Sequence, residues 1–153
     1  MTSEERQRAR LPIWLGVAGL IPFILGAVMV FAAPVLWQAL AIKAFVFYGA
    51  IILSFLGGIH WGVAMSLDRS GTRDFNTRLL AGTAPSLLAW PALLLDYQHA
   101  ALVLMVGFLL MRLYERQRDS TERLPAWYQQ LRSPLTAVAI VCHLAVLVRL
   151  MLP

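Results

Sequence analysis

The sequence has little charge and almost no cysteine. Of its 153 residues, 14% are charged and 59% are hydrophobic, whereas soluble domains have about 25% charged and about 45–50% apolar residues. A soluble chain of this length could not bury so much apolar surface, and a disordered chain needs more charge. The single cysteine, Cys142, excludes a disulfide scaffold. These scarcities leave an integral membrane protein that forms one domain over residues 1–153.

Long apolar runs predict an all-α fold with a bundle of five transmembrane helices, because a helix needs about 20 apolar residues to cross the hydrocarbon. The five predicted spans are 11–33, 41–67, 79–95, 100–114 and 134–153. Ser133 is expected to cap the fifth span, with Pro134 at its first turn. An interfacial segment at about 115–132 precedes it.

Two of these spans share a sequence pattern, A-G-x-x-P-x-[IL]-L, which contains Pro22 in the first span and Pro85 in the third. A duplicated hairpin and a chance match between apolar sequences both explain the pattern. In either case each proline frees a carbonyl one turn earlier, so we expect both helices to bend there.

The basic residues predict the orientation of the bundle. With the exception of Lys43 and Arg149, they fall on one side: Arg6, Arg8, Arg10, Arg69, Arg73, Arg78, Arg112, Arg116, Arg118, Arg123 and Arg132. The positive-inside rule then places the N-terminus in the cytoplasm (or matrix) and the C-terminus outside. Because these arginines are spread over three loops among acidic residues, the net charge of +5 indicates contact with lipid headgroups and no nucleic-acid binding.

Small residues recur at every fourth position of the second span. They are Ala50, Ser54, Gly58, Gly62 and Ser66. Small side chains let helix backbones approach closely, which drives helix association in lipid. The stripe therefore predicts tight packing, either against a neighbouring helix of the same bundle or across a dimer interface.

Two histidines lie within predicted spans. His60 is on the opposite side of its helix from Gly58, and His143 lies midway along the fifth span. Counted from the cytoplasmic ends, their depths are roughly 10 and 14 Å, so the two imidazoles are expected to be able to meet. Such a pair would bind a haem or a metal ion, or relay protons. The alternative is that each histidine makes one interhelical hydrogen bond.

Motifs for catalysis and metal binding are missing from the sequence. It has no H-E-x-x-H or C-x-x-C spacing, no phosphate-binding glycine loop and no nucleophile elbow. The acidic residues are all assigned to connections, with Asp96 outside and the others cytoplasmic, which argues against a cation-coupled transporter. We therefore expect no enzyme activity, no catalytic residue, no metal site and no resident cofactor.

The loop before the fifth span ends in aromatic and basic residues, including Trp127, Tyr128 and Arg132. Tryptophan and tyrosine beside arginine are typical of the membrane interface. The segment is expected to lie on the inner leaflet as a short helix, or to present a docking surface for a partner. Trp61 is a further candidate for the same aromatic belt.

Several of these motifs resemble a bacterial inner-membrane family of unknown function that includes mitochondrial transmembrane protein 69. The resemblance covers nearly the whole chain. It rests on G-V-A-G-L-I-P-F at 16–23, Y-G-A-I-I-L-S-F-L-G-G-I-H-W-G at 48–62, P-S-L-L-A-W at 85–90, P-A-W-Y at 125–128, L-R at 131–132 and L-T at 135–136. It implies a small multi-pass protein of the bacterial inner membrane with mitochondrial relatives, and it carries no established activity.

These features favour a non-enzymatic inner-membrane protein, an accessory subunit or assembly factor of a larger membrane complex. Two alternatives remain. One is a small transporter or channel with a site near His60, and the other is a redox protein that binds haem or quinone.

Overall fold

The computed structural model describes residues 10–117 and 124–152, which form α-helices joined by short turns. The helices are α1 (Arg10–Ala18), α2 (Ile21–Ala32), α3 (Val35–Leu67), α4 (Arg73–Ala92), α5 (Tyr97–Gln117) and α6 (Ala126–Met151). Because α1 and α2 together make up the first long segment, the predicted all-α bundle of five helical segments is confirmed, and four of the five are candidate membrane spans.

The first segment is broken where the sequence predicts a bend. Pro22 lies in the first turn of α2 and has no N–H to continue the ladder from α1. The chain turns at Gly19 and Leu20, and the Gly19 carbonyl accepts a hydrogen bond of 2.7 Å from the hydroxyl of Tyr48. In contrast, Pro85 lies inside α4, which continues through it. The shared sequence pattern therefore has two different local structures.

The helices extend beyond the apolar runs that predict them. α3 begins at Val35, directly after Pro34, and α5 continues to Gln117. The predicted start of the last helix is wrong, since α6 begins at Ala126 and Pro134 lies inside it. Hydropathy marks only the apolar part of a helix, whereas polar residues with good helix propensity continue the backbone ladder.

Four segments of the described chain are long and apolar enough to cross a membrane: Arg10–Ala32, Val35–Leu67, Tyr97–Arg116 and Trp127–Met151. The remaining helix, α4, is 20 residues long but has charged residues in its first turns. One of them, Arg78, donates a hydrogen bond of 2.7 Å from Nε to Asp68 at the end of α3. This buried ion pair joins the two helices where they meet.

The core lies where α3 packs against α2, α4 and α5, with α6 against α5 and α2. Its largest fully buried apolar side chains include Phe23, Phe45, Leu53, Leu104 and Phe108. Many large apolar side chains lie on the outside, for example Leu36, which is 85% exposed. An apolar exterior around a small packed core is the pattern expected of a protein with lipid as its solvent.

One end of the bundle, called the basic end below, collects the C-termini of α3 and α5 and the N-termini of α4 and α6. Arg78, Arg112 and Arg132 lie there. Four other arginines that predict the orientation, at positions 6, 8, 118 and 123, lie outside the described residues. The cytoplasmic orientation of the basic end stays a prediction.

Candidate functional site

A fully buried carboxylate lies at the basic end. The prediction that acidic residues lie outside the spans is wrong for Glu115, which belongs to the segment Tyr97–Arg116 and has 0% exposure. Because α5 continues past its apolar run, Glu115 follows Phe108 and Met111 at helical spacing and shares their buried face. A charged group in this position is costly unless other groups compensate it.

Three side chains donate hydrogen bonds to Glu115. The Nε of Arg132, on α6, lies 3.1 and 3.0 Å from the two carboxylate oxygens. The hydroxyl of Tyr128 lies 3.2 Å from Oε1, and Nη1 of Arg112 lies 3.4 Å from Oε2. Arg112 also donates from Nη2 to the hydroxyl of Ser133 at 2.6 Å, so Ser133 is a partner of this cluster and not the predicted helix cap.

His60 completes the group, called the Glu115 cluster below. Its Nε2 lies 3.6 Å from Oε1 of Glu115, and both side chains are fully buried. The imidazole packs edge-on against the ring of Tyr114, with 5.3 Å between ring centroids. At 3.6 Å the contact is longer than a hydrogen bond, and neither ring nitrogen of His60 has a hydrogen-bond partner among the described residues. The cluster thus joins α3, α5 and α6 and holds two guanidinium groups against one carboxylate.

The residues of the predicted interfacial surface do not lie together on one surface. Tyr128 and Arg132 are one helical turn apart on α6, and both turn toward Glu115 inside the bundle. The expected short interfacial helix is therefore wrong, because α6 begins at Ala126 and continues to Met151. Binding of a partner by this segment stays a prediction. Trp127 is half-buried, and its ring lies 6.0 Å from that of Tyr128.

His143 lies in a separate, aromatic environment. Its ring centroid is 5.6, 4.7 and 5.5 Å from those of Phe23, Phe45 and Phe108. Its Nδ1 lies 2.8 Å from the carbonyl oxygen of Ala139. Because a carbonyl only accepts, Nδ1 carries the proton there.

The expected meeting of the two histidines is wrong. A Cβ at Gly49 would lie 3.2 Å from Nε2 of His143, and Gly49 precedes His60 on α3 by about 16 Å of helix. The predicted depth of His143 assumes a helix that starts at Pro134, whereas α6 begins two turns earlier, so His143 lies deeper in the bundle. The two imidazoles cannot share one haem or metal ion, and within the described residues no three metal-ligating side chains of His, Cys, Asp or Glu converge.

The small-residue stripe changes direction along α3. Ala50 is 5% exposed and contacts the core, whereas a Cβ at Gly58 or Gly62 would meet nothing within 4 Å among the described residues. A helix turns about 100° per residue, so every fourth position drifts by about 40°. Packing of the whole stripe within the bundle is therefore wrong. The face formed by Gly58, Gly62 and Ser66, called the open face below, points outward.

The close helix contact instead involves Gly57, the residue beside the stripe. A Cβ there would collide with the carbonyl oxygen of Gly82 on α4, and one on Gly82 would lie 2.6 Å from Cδ1 of Trp61. The indole Nε1 of Trp61 donates to the Thr83 hydroxyl at 2.9 Å and to the Leu79 carbonyl at 3.1 Å. Trp61 is thus held against α4 by the hydrogen bonds of its indole N–H.

Comparison with known proteins adds relatives but no activity. The family described as "Protein of unknown function (DUF3429)" matches residues 9–148. Transmembrane protein 69 of Xenopus tropicalis is 37% identical over 84% of this chain and 50% of its own length. Transmembrane protein 69 of Mus musculus is 28% identical over 89% of this chain and 55% of its own length. The chain spans about half the length of these curated relatives, and no solved structure matches it.

Proposed function

Because the chain belongs to this family of membrane proteins of unknown function, as its motifs predict, we propose its role from its own structure. We infer that it is a non-enzymatic, multi-pass protein of the bacterial inner membrane. Its role is that of an accessory subunit or assembly factor, which packs against a larger membrane complex.

The observation that carries this proposal is the open face of α3. Apolar burial does not drive association between helices in lipid, where close backbone contact and interhelical hydrogen bonds do. Gly58, Gly62 and Ser66 offer such a contact at a spacing of four residues, and no described side chain covers either glycine. A transmembrane helix of a partner subunit fits this face better than lipid chains do.

The experiment compares two double variants of the full chain in native membranes. G58L/G62L places bulky side chains on the open face, where an added Cβ meets no described atom within 4 Å. G58A/G62A keeps the face small and serves as the matched control. After solubilisation in mild detergent, the wild type and the alanine variant should retain a stoichiometric partner protein, and the leucine variant should lose it.

The proposal fails if the wild type is recovered as a clean monomer or homo-oligomer. It also fails if the leucine variant retains the same partner as the control. Circular dichroism of both variants checks that the helical bundle is intact.

The second candidate, a small transporter, is favoured by one observation. The close approach of His60 and Glu115 places an imidazole beside a carboxylate within a membrane segment, and such groups often form proton relays. Proton flux into vesicles that contain the purified chain tests it. A flux that E115Q abolishes would support transport, and wild-type vesicles no leakier than protein-free ones would exclude it. The redox alternative gains no such support, since His60 and His143 lie apart.

A further inference from the structure

A pocket of about 360 Å³ lies beside the Glu115 cluster, between the first segment, α3 and α6. Its walls are mainly apolar and include Leu20, Phe23, Phe55 and Ile59. Pockets of about 300–1,000 Å³ with apolar walls and few polar groups are typical sites for small ligands. The volume is therefore sufficient for a ligand, and its chemistry is set by the polar groups.

The polar groups are on one stripe of α6. Tyr128, Arg132 and Thr136 follow one another at intervals of four residues, and all three line the pocket. Arg132 is 5% exposed and Thr136 is 4% exposed. Tyr128 is bound to Glu115, so its hydroxyl is already engaged.

Two hydrogen-bonding atoms of this stripe lack a partner among the described residues. They are Nη2 of Arg132 and Oγ1 of Thr136, and both are buried. The Nε of Arg132 donates to Glu115, which fixes the guanidinium group in place. Its Nη2 remains available to donate to a ligand. Leaving buried polar groups unpaired is costly, particularly in a membrane where no water replaces the missing partner.

The net charge of the Glu115 cluster indicates the charge of the ligand that would pair with these atoms. Arg112 and Arg132 carry two positive charges against the single carboxylate of Glu115. These three side chains together have one positive charge in excess. An anionic oxygen at the pocket would accept from Nη2 and from the Thr136 hydroxyl, and would reduce this excess.

From this geometry we propose that the pocket binds a long-chain fatty acid. The carboxylate accepts hydrogen bonds from Nη2 of Arg132 and Oγ1 of Thr136. The hydrocarbon chain lies along Leu20, Phe23, Phe55 and Ile59. This site is separate from the open face of α3 and does not rest on the accessory role.

Photolabelling of the full chain in phosphatidylcholine vesicles tests the site. The probe is palmitate with a diazirine in its chain, and the labelled peptides are identified by mass spectrometry. We expect saturable labelling of the peptides around 12–23 and 127–139. Unlabelled palmitate should compete at a concentration about tenfold lower than methyl palmitate, which keeps the carbonyl but has no charge.

A matched pair of variants tests the role of the hydroxyl. T136V removes it at nearly constant volume, and because the hydroxyl has no partner among the described residues, the bundle should remain folded. T136S keeps it. A hydrogen bond to a charged group predicts about tenfold weaker competition by palmitate in T136V and little change in T136S.

Three results would overturn the proposal. Labelling spread over all outward-facing helices without saturation would show that the probe only dissolves in the bilayer. Equal competition by palmitate and methyl palmitate would assign the pocket to a neutral ligand such as an ester or a quinone. Unchanged competition in T136V, with an unfolding midpoint like that of the wild type, would remove the hydroxyl from the site.

Discussion

The Nε of Arg132 lies 3.1 and 3.0 Å from the two oxygens of Glu115, and both side chains are buried. This contact joins α5 to α6, and the approach of His60 adds α3 to the same group. One carboxylate thus connects three helices at the basic end. It compensates the guanidinium groups of Arg112 and Arg132, and Arg132 also lines the pocket.

Removal of this carboxylate should destabilise the bundle strongly. Glu115→Ala leaves Arg132 buried without a counter-charge, which costs about 3–5 kcal/mol in comparable sites. The free energy of unfolding, measured by SDS titration in detergent micelles with circular dichroism, should fall by this amount. Arg116→Ala changes the exposed next residue and should have little effect.

The double variant E115M/R132M separates charge compensation from packing. Replacing both partners of a buried ion pair by apolar side chains is often close to neutral. We therefore expect the double variant to be more stable than Glu115→Ala alone. If E115M/R132M and Glu115→Ala lower the free energy of unfolding equally, the unpaired charge on Arg132 does not cause the destabilisation.

Alanine substitutions at two adjacent glycines of α3 should change the free energy of unfolding in opposite directions. Gly57→Ala places a methyl group against the carbonyl oxygen of Gly82, so α3 and α4 must move apart. Such overpacking costs about 1–3 kcal/mol. Gly58→Ala meets no described atom, and alanine in a helix is favoured over glycine by roughly 0.5–1 kcal/mol. The same SDS titration measures both. Equal effects at the two positions would contradict the assigned contact.

The glycine pair also shows what sequence reasoning can and cannot determine. Apolar runs predict the number and order of the helices, because the thickness of the hydrocarbon sets their length. They do not determine rotation about the helix axis. A spacing of four drifts away from a helical face, and therefore the stripe that begins at the buried Ala50 ends on the open face, while Gly57 makes the close contact.

Glu115 was missed for a related reason. A charged residue beyond an apolar run is assigned to a connection, yet its phase relative to Phe108 and Met111 places it on the buried face once the helix continues. This periodicity was the signal available in the sequence. The partner of Glu115 on α6 was not predictable, because hydropathy placed Arg132 before the helix that carries it.

The stability of the protein should depend on pH through Asp96, which lies in the turn before α5. The side chain of His99 hydrogen-bonds to Asp96, and this holds the pKa of that carboxyl below its usual value. A carboxyl whose pKa is lower in the folded state stabilises the fold above its unfolded pKa, about 3.9, and loses this contribution as the pH falls through the folded pKa.

The comparison for this prediction is Asp96→Asn, which keeps an oxygen for the backbone N–H of His99 but cannot ionise. The stability of the wild type relative to D96N should decline in acid, below about pH 4. Unfolding of both proteins from pH 7 to pH 3 measures this. A difference that stays constant to pH 3 would show that the ionised carboxylate makes no such contribution.

The break between α1 and α2 should depend on Tyr48. Its hydroxyl donates to the Gly19 carbonyl at 2.7 Å, at the point where the helix is interrupted and the carbonyl needs a partner outside the backbone ladder. Tyr48→Phe keeps the ring, which packs on Phe23 with 4.9 Å between centroids, and removes only the hydrogen bond. The free energy of unfolding should fall by about 0.5–1.5 kcal/mol, with faster amide hydrogen exchange at the start of α2.

The matched control is Tyr97→Phe, which should change neither measurement. Tyr97 is exposed, and its hydroxyl has no hydrogen bond within the described chain. If the two variants behave alike, the hydrogen bond from Tyr48 does not stabilise the break.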